Sequence, residues 1–582
     1  MVSGASGSER SRTSASQVPP ASGRLDAGAL VFVAALAALA VMVLLPLAWL
    51  FFTSLQAPES GRLGFGNYAT AFTQWIYLSP IVNSLVLATS VATVAVLLGT
   101  PLAWLVSRTN LPGRGLLRVA IIAAFVTPPF LGAQAWMLLA APHSGWLNRA
   151  FVALTHAPEG PFNIYSLAGA IFVMASYNIP YTFTFVAGAL ALMPSEMEDA
   201  AAILGSSALR RTLTIVLPLA LPAIIAGFIM SFLEAISEFG APAFILIPAR
   251  TQVITTQLYL FFQYPPRVEV AAAYAMPLLF VTAALLYVQR RLIGRRRYTM
   301  IGTKGARRNL IGLGAWRWPL ACAAFGVPFV TVALPYAALL ATSLSRAWGR
   351  GPVPGNLTLY WYHWAIIDNP ETKAAIFHSL TYAFAAATIA VLIAIVIGFA
   401  VQRGLVAGGQ ILSFICMAPY VVPGIILAIG FYAAFSRKPL LLYGTAWMLI
   451  VAFATRFLPI AYSSFTAAMQ TLSADLEFAA RTLGAGRLRS IRTITLPLLR
   501  SGILSAWLLV FIPALRELSC AIFLFTPGTA VMSTVIFDFS DAGNFEALST
   551  MGILILAITF AIVFLMYRFL GRSLIEAEAQ PA

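Results

Sequence analysis

Four charged residues stand inside apolar stretches, and they are the first candidates for chemistry in this chain: Glu234, Glu238, Arg516 and Glu517. A carboxylate or guanidinium in a hydrocarbon setting is kept only where it faces water or a partner of opposite sign. Glu234 and Glu238 are four residues apart, which predicts one shared helix face. Glu238 and Glu517 are related by an offset of 279 positions. Such a set can line a polar pathway or form structural ion pairs near an outer interface, and the residues alone leave both readings open. Gln134, Tyr177, Asn178, Tyr181 and Arg456 also lie in apolar stretches; they could line a pathway or hydrogen-bond between helices, and the second reading is preferred for each. Nothing points to catalysis. No G-x-x-x-x-G-K-[ST] phosphate loop occurs, and none of Lys304, Lys373 and Lys438 sits between a glycine and a hydroxyl residue. His143, His156, His363 and His378 show no metal-binding spacing, and Cys322, Cys416 and Cys520 lie singly in apolar segments, as packing residues do. No catalytic residue, cofactor or metal ligand is assigned.

The elements that must hold these residues are membrane helices. The chain of 582 residues is 60% hydrophobic and 10% charged, with a mean hydropathy of +0.87. Apolar runs long enough to cross a bilayer recur throughout, without the alternation of barrel strands. They fall at about 28–52, 80–106, 116–141, 164–193, 217–246 and 269–289, and again at about 318–344, 374–402, 410–435, 441–470, 496–526 and 546–570. The fold class expected is an all-α polytopic membrane protein with about twelve transmembrane helices in two direct six-helix repeats. Pro128-Pro129, Pro180, Pro423 and Pro513 predict kinks within spans.

The net charge of +16 reflects topology and not nucleic-acid binding, because the basic residues sit in short loops between spans. With the N-terminus placed in the cytoplasm, 25 Arg and Lys fall inside, counting those at inner span ends, against nine outside and two within spans. The domains expected are a disordered cytoplasmic tail at 1–27, a first half at 28–289, a basic cytoplasmic linker at 290–317, a second half at 318–570 and a cytoplasmic C-terminal tail at 571–582.

The most polar long interval between spans of the first half occurs twice. Residues 196–219 and 475–498 share 12 identities in 24 without a gap, among them Glu198/Glu477, Ala200/Ala479, Ala201/Ala480, Gly205/Gly484, Leu217/Leu496 and Pro218/Pro497. Each copy reads as a short helix opened by acidic residues, a turning glycine, a basic helix, and a Leu-Pro that starts the next span with a first-turn proline. Weaker echoes keep the same order: Leu45-Pro46 and Leu334-Pro335, Thr53-Ser54-Leu55 and Thr342-Ser343-Leu344, Asn83-Ser84-Leu85 and His378-Ser379-Leu380.

The spacing acidic-Ala-Ala, three residues, Gly, nine residues, Ile-x-Leu-Pro resembles the cytoplasmic EAA loop of permease subunits in bacterial binding-protein-dependent ABC importers. The resemblance covers essentially residues 28–570. It implies an inner-membrane protein whose two loops each dock one copy of a separate ABC ATPase, and a periplasmic or tethered solute-binding protein that delivers the solute. One departure is that Asp199 is matched by Phe478, with Glu477 just before it. The docking role therefore carries to Glu198, Asp199, Ala200, Ala201, Gly205, Leu217 and Pro218, and to Glu477, Ala479, Ala480, Gly484, Leu496 and Pro497, but not to a carboxylate at 478. Ser237-Glu238-Phe239-Gly240-Ala241-Pro242 is similar to a segment of ferric iron permeases. Thiamine, phosphonate, sulfate and polyamine permeases remain open as alternatives. A gradient-driven secondary transporter is the rival class, but its Gly-x-x-x-Asp-Arg signature is absent from Ser107 to Arg118.

Overall fold

The computed structural model describes residues 27–570 apart from 59–60, 194–195, 296–309, 352, 407 and 474. The expected tails, apart from Ala27, and half of the linker, 296–309, lie outside the described residues. The first half carries α1 (Leu30–Leu55), α2 (Trp75–Arg108), α3 (Arg114–Ala123), α4 (Pro129–Ala140), α5 (Leu167–Leu192), α6 (Glu196–Ile203), α7 (Ala208–Ser237), α8 (Gly240–Leu246), α9 (Ile254–Leu260) and α10 (Val268–Arg295). The second half follows the same plan with α11 (Gly314–Ser343), α12 (Pro370–Gln402), α13 (Gly409–Tyr420), α14 (Gly424–Phe435), α15 (Ala446–Gln470) and α16 (Asp475–Thr482). It ends with α17 (Ile491–Leu498), α18 (Arg500–Leu515), α19 (Ala521–Leu524), α20 (Met532–Asp541) and α21 (Phe545–Leu570).

Nine of the described helices are long and apolar enough to span a bilayer, or eleven when the bent pairs α13–α14 and α17–α18 each count as one span. The remaining expected span, 116–141, is not one helix. Pro128 and Pro129 follow the tight turn after α3, and the chain re-enters helix only at α4 because consecutive prolines supply no backbone donors and push the preceding residue to extended backbone. In the second half the break before Pro423 bends α13 against α14 by 107°.

The four Leu-Pro pairs named above put their proline in the first turn of an α-helical stretch, as expected at Pro218 and Pro497, but that stretch is entered from a helical turn and not from a loop. Each follows a five-residue π-helical turn, Ala40–Leu44, Thr212–Val216, Phe329–Ala333 or Ile491–Thr495. A proline inside a helix removes a donor and crowds the carbonyl four residues back; widening the preceding turn relieves that clash and lets the helix run on. The basic arm of the first repeat thus continues into its span as α7, whereas in the second repeat α17 and α18 meet at 62°.

Within each half the long second span is central: α2 packs on α5 and α7, and α12 on α15 and α18. The first spans tie the halves together, since α1 packs on α10 and across on α14, and α11 on α21 and across on α4. The same side chains do the same work twice. Ser84 Oγ accepts from Ile254 N–H at 2.7 Å and Ser379 Oγ from Met532 N–H at 2.8 Å; Ser54 bonds Tyr68 at 2.9 Å and Ser343 bonds Tyr362 at 2.8 Å. One contact belongs to the first half. The linker's far end runs beside the end of α2, where Ile311 N–H donates to Arg108 O at 2.9 Å, Asn110 N–H to Ile311 O at 3.2 Å and Leu313 N–H to Asn110 Oδ1 at 3.0 Å.

Candidate functional site

The two polar repeats form matched helical hairpins. In each, the glycine takes a left-handed backbone, φ +80° at Gly205 and +87° at Gly484, which a side chain would resist. The following N–H reaches back five residues, Ser206 to Ala201 O and Ala485 to Ala480 O, both at 3.0 Å, so the freed carbonyls of α6 and α16 are satisfied. A Cβ at either glycine would meet nothing within 4 Å. The turn therefore needs glycine for its backbone, and the space beside it is open. Ile203, Leu204 and Leu483 stand at the turns between 86 and 89% exposed, and Leu209, Leu476 and Phe478 are exposed nearby. A concentration of large apolar side chains on a polar hairpin outside the spans is the mark of a surface that meets a partner. Ala200 and Ala479 are exposed beside them, while Ala201 and Ala480 are half-buried. Leu217 and Pro218, like Pro497, are exposed on the spans beyond the hairpins; they shape the helix and do not belong to the tip.

Each hairpin is held by a largely shielded ion pair. Arg108, the last residue of α2, reaches Glu198 at 3.1 Å and donates to Met193 O at 3.2 Å. Arg403, just past α12, reaches Glu477 at 2.8 Å and donates to Leu472 O at 3.5 Å. Glu198 and Glu477, like Met193 and Leu472, are related by the offset of 279. The repeated carboxylate is thus Glu198/Glu477, and the substitution of Phe478 for Asp199 leaves it intact.

Glu234, Glu238, Arg516 and Glu517 line one cavity of about 320 Å³ between the halves, together with Tyr181, Ser237, Arg456 and Ser519. The expected shared helix face of Glu234 and Glu238 is not what joins them. α7 ends at Ser237, and Glu238 is extended at φ −72°, ψ 132°, with its Oε1 accepting from Gly240 N–H at 2.9 Å. The carboxylate replaces the helical bonds lost at the break, as an N-terminal cap does. Glu517 does the same for α19, accepting from Cys520 N–H at 2.9 Å. The backbone carbonyls of these two glutamates are matched as well, accepting from Thr255 at 2.9 Å and Ser533 at 2.7 Å.

Arg456, read from sequence as a packing residue, is at the centre of the cavity's charge, with Nε 3.0 Å from Glu517 Oε2. Gly424 opens α14 against it, where an added Cβ would overlap the Arg456 guanidinium. Arg516 crosses between halves and donates to Phe125 O at 2.9 Å. Tyr177, at the first-half position that matches Arg456, and Asn178 line a smaller adjoining cavity of about 60 Å³ with Glu234, Glu238 and Arg516. Gln134 is buried within α4. The short helices carry a cluster of aromatic rings from both halves. Phe523 lies 6.0 Å from Phe239, 6.0 Å from Tyr259 and 5.0 Å from Phe262, and Phe537 lies 5.2 Å from Phe244. Among the described residues no three His, Cys, Asp or Glu side chains gather to hold a metal ion.

A helical bundle of two like halves, with a charged cavity between them and paired polar hairpins at one end, defines a membrane transport subunit. Residues 95–298 and 406–576 match the binding-protein-dependent transport system inner membrane component, and the chain belongs to that family: it is a multi-pass inner-membrane protein, the permease of an ABC importer. Among its relatives, the ferric transport system permease protein FbpB of Actinobacillus pleuropneumoniae is 25% identical over 487 residues, 83% of this chain and 70% of that protein. The putative ferric transport system permease protein FbpB 1 of Haemophilus influenzae is 27% identical over 467 residues, 79% of this chain and 72% of that protein. The putative 2-aminoethylphosphonate transport system permease protein PhnV of Salmonella paratyphi A is 30% identical over 239 residues, 41% of this chain and 89% of that protein.

Proposed function

We propose that this permease carries ferric iron and that its hairpins, facing the cytoplasm, each dock one subunit of a separate ABC ATPase. The observation that carries the docking reading is the doubled hairpin itself, with exposed Ile203, Leu204 and Leu483 beside open glycine turns. The chain termini lie on the same side as the hairpins, the halves run from 28 to 289 and 318 to 570, and the linker between them is cytoplasmic. A solute-binding protein delivers the solute to the opposite face. Glu234, Glu238, Arg516 and Glu517 line the pathway, and only contacts that differ between its two global states shift the balance between them. Iron is favoured because both FbpB relatives extend over most of the chain. Phosphonate is the second reading, supported by the PhnV relative over one half.

The expected result for Gly205→Glu with Gly484→Glu is normal membrane insertion and loss of ATPase co-purification. A bulky charge fills the open space at the turn and strains a left-handed backbone. Retention of the ATPase by this variant overturns the docking reading. Uptake of ⁵⁵Fe(III) against radiolabelled 2-aminoethylphosphonate in vesicles decides the solute.

A further inference from the structure

Beyond docking, a hairpin must pass its displacement into the bundle, and the chain gives it few routes. α6 and α16 connect covalently only to α5 and α7, or to α15 and the short helix Arg487–Ser490 that leads into α17. A pull along those links reaches the central span only through the side-chain packing of α5 and α7 on α2, or of α15 and α18 on α12.

We propose that Arg108 and Arg403 are positioning residues that clamp each hairpin to the central span of its half, so that α2 and α12 move with the hairpins. The clamp is built the same way twice. Each arginine sits at the end of the second span, each meets the carboxylate one residue before the position of Asp199 or Phe478, and each also donates to the carbonyl at the end of the fourth span. Three elements therefore converge on one guanidinium. The pairs are shielded, with Arg108 4% exposed and Arg403 and Glu477 each 14% exposed, so water screens them weakly. Glu477 Oε1 takes Nε of Arg403 at 3.1 Å, Nη2 at 2.8 Å and the Thr495 hydroxyl at 3.0 Å. The corresponding residue of the first half is Val216. Because α2 and α12 pack on both flanking spans, a hairpin fixed to them moves its half as one body.

The inference rests on the docking reading, and the test separates the two. Spin-label pairs are placed at the hairpin turns, Ser206→Cys with Ala485→Cys, and at the span ends, Ser107→Cys with Gln402→Cys, each in a Cys322→Ser background because Cys416 and Cys520 are buried. Distances are read in the complex with its ATPase, without nucleotide and trapped with ATP and vanadate. In the parent protein both pairs shift. With Arg108→Ala and Arg403→Ala the turn pair still shifts and the span-end shift falls to less than half. Exchanging the charges, R108E with E198R and R403E with E477R, restores it. A span-end shift undiminished in the alanine variant, or not restored by the exchange, overturns the clamp and leaves docking standing. Loss of ATPase co-purification in the alanine variant also overturns the clamp, since the pairs then serve docking alone. If the turn pair fails to shift in the parent complex, the docking reading itself falls.

Discussion

Glu238 and Glu517 occupy the same place in the two halves under different circumstances. Both cap a short helix, but Glu517 also holds Arg456, whose counterpart in the first half is Tyr177. Removing one member of a buried ion pair costs about 3–5 kcal/mol in well-shielded sites; Arg456 is 24% exposed, so the cost here is smaller. Glu517→Gln is therefore expected to lower the melting temperature of the purified permease more than Glu238→Gln does, while both reduce uptake. Undiminished uptake by Glu238→Gln would remove that residue from the pathway. The offset of 279 made both glutamate pairs readable in the sequence, because ungapped repeats preserve spacing. The arginines that meet Glu198 and Glu477 follow a second offset, 295, the one that relates Asn83-Ser84-Leu85 to His378-Ser379-Leu380 and also Arg108 to Arg403. Arg108 precedes its partner by 90 residues and Arg403 by 74, so the loops between them differ by 16 residues and no single offset relates both arginines and glutamates.

At the level of elements, hydropathy located most of the spans but not their breaks. The expected helix at 217–246 is interrupted at Glu238, and the one at 496–526 near Leu499 and again after Leu515. Apolar side chains on either side of each break keep the hydropathy high, and the bonds that make the breaks tolerable come from glutamates read as pathway residues. The short segments α8, α9, α19 and α20 were equally hidden, being too brief for a periodicity to register. Their aromatic rings join the two halves. Phe523 touches three rings of the opposite half and is 5% exposed. Phe523→Ala is expected to destabilise the bundle by about 3–5 kcal/mol, as large-to-small changes in packed cores do. The check is the thermal unfolding midpoint in detergent, and an unchanged midpoint would mean the cluster is loosely packed.

For the molecule as a whole, duplication was plain in the sequence, whereas the exchange of first spans was not, since nothing in a direct repeat says which half a helix packs against. α1 lies on α14 and α11 on α4, so each half completes the other. Two chains produced by cutting between 296 and 309 are expected to co-purify and to support uptake when co-expressed; halves that separate on an affinity column would show that the covalent join is needed for assembly. The join also leaves the halves unequal. Its distal end is stitched by backbone bonds to Arg108 and Asn110, directly behind the first clamp, and among the described residues Arg403 has no such stitch. Two nearly twin hairpins thus have different neighbours: the arginine that meets Glu198 is flanked by the distal end of the linker, and among the described residues the one that meets Glu477 is not.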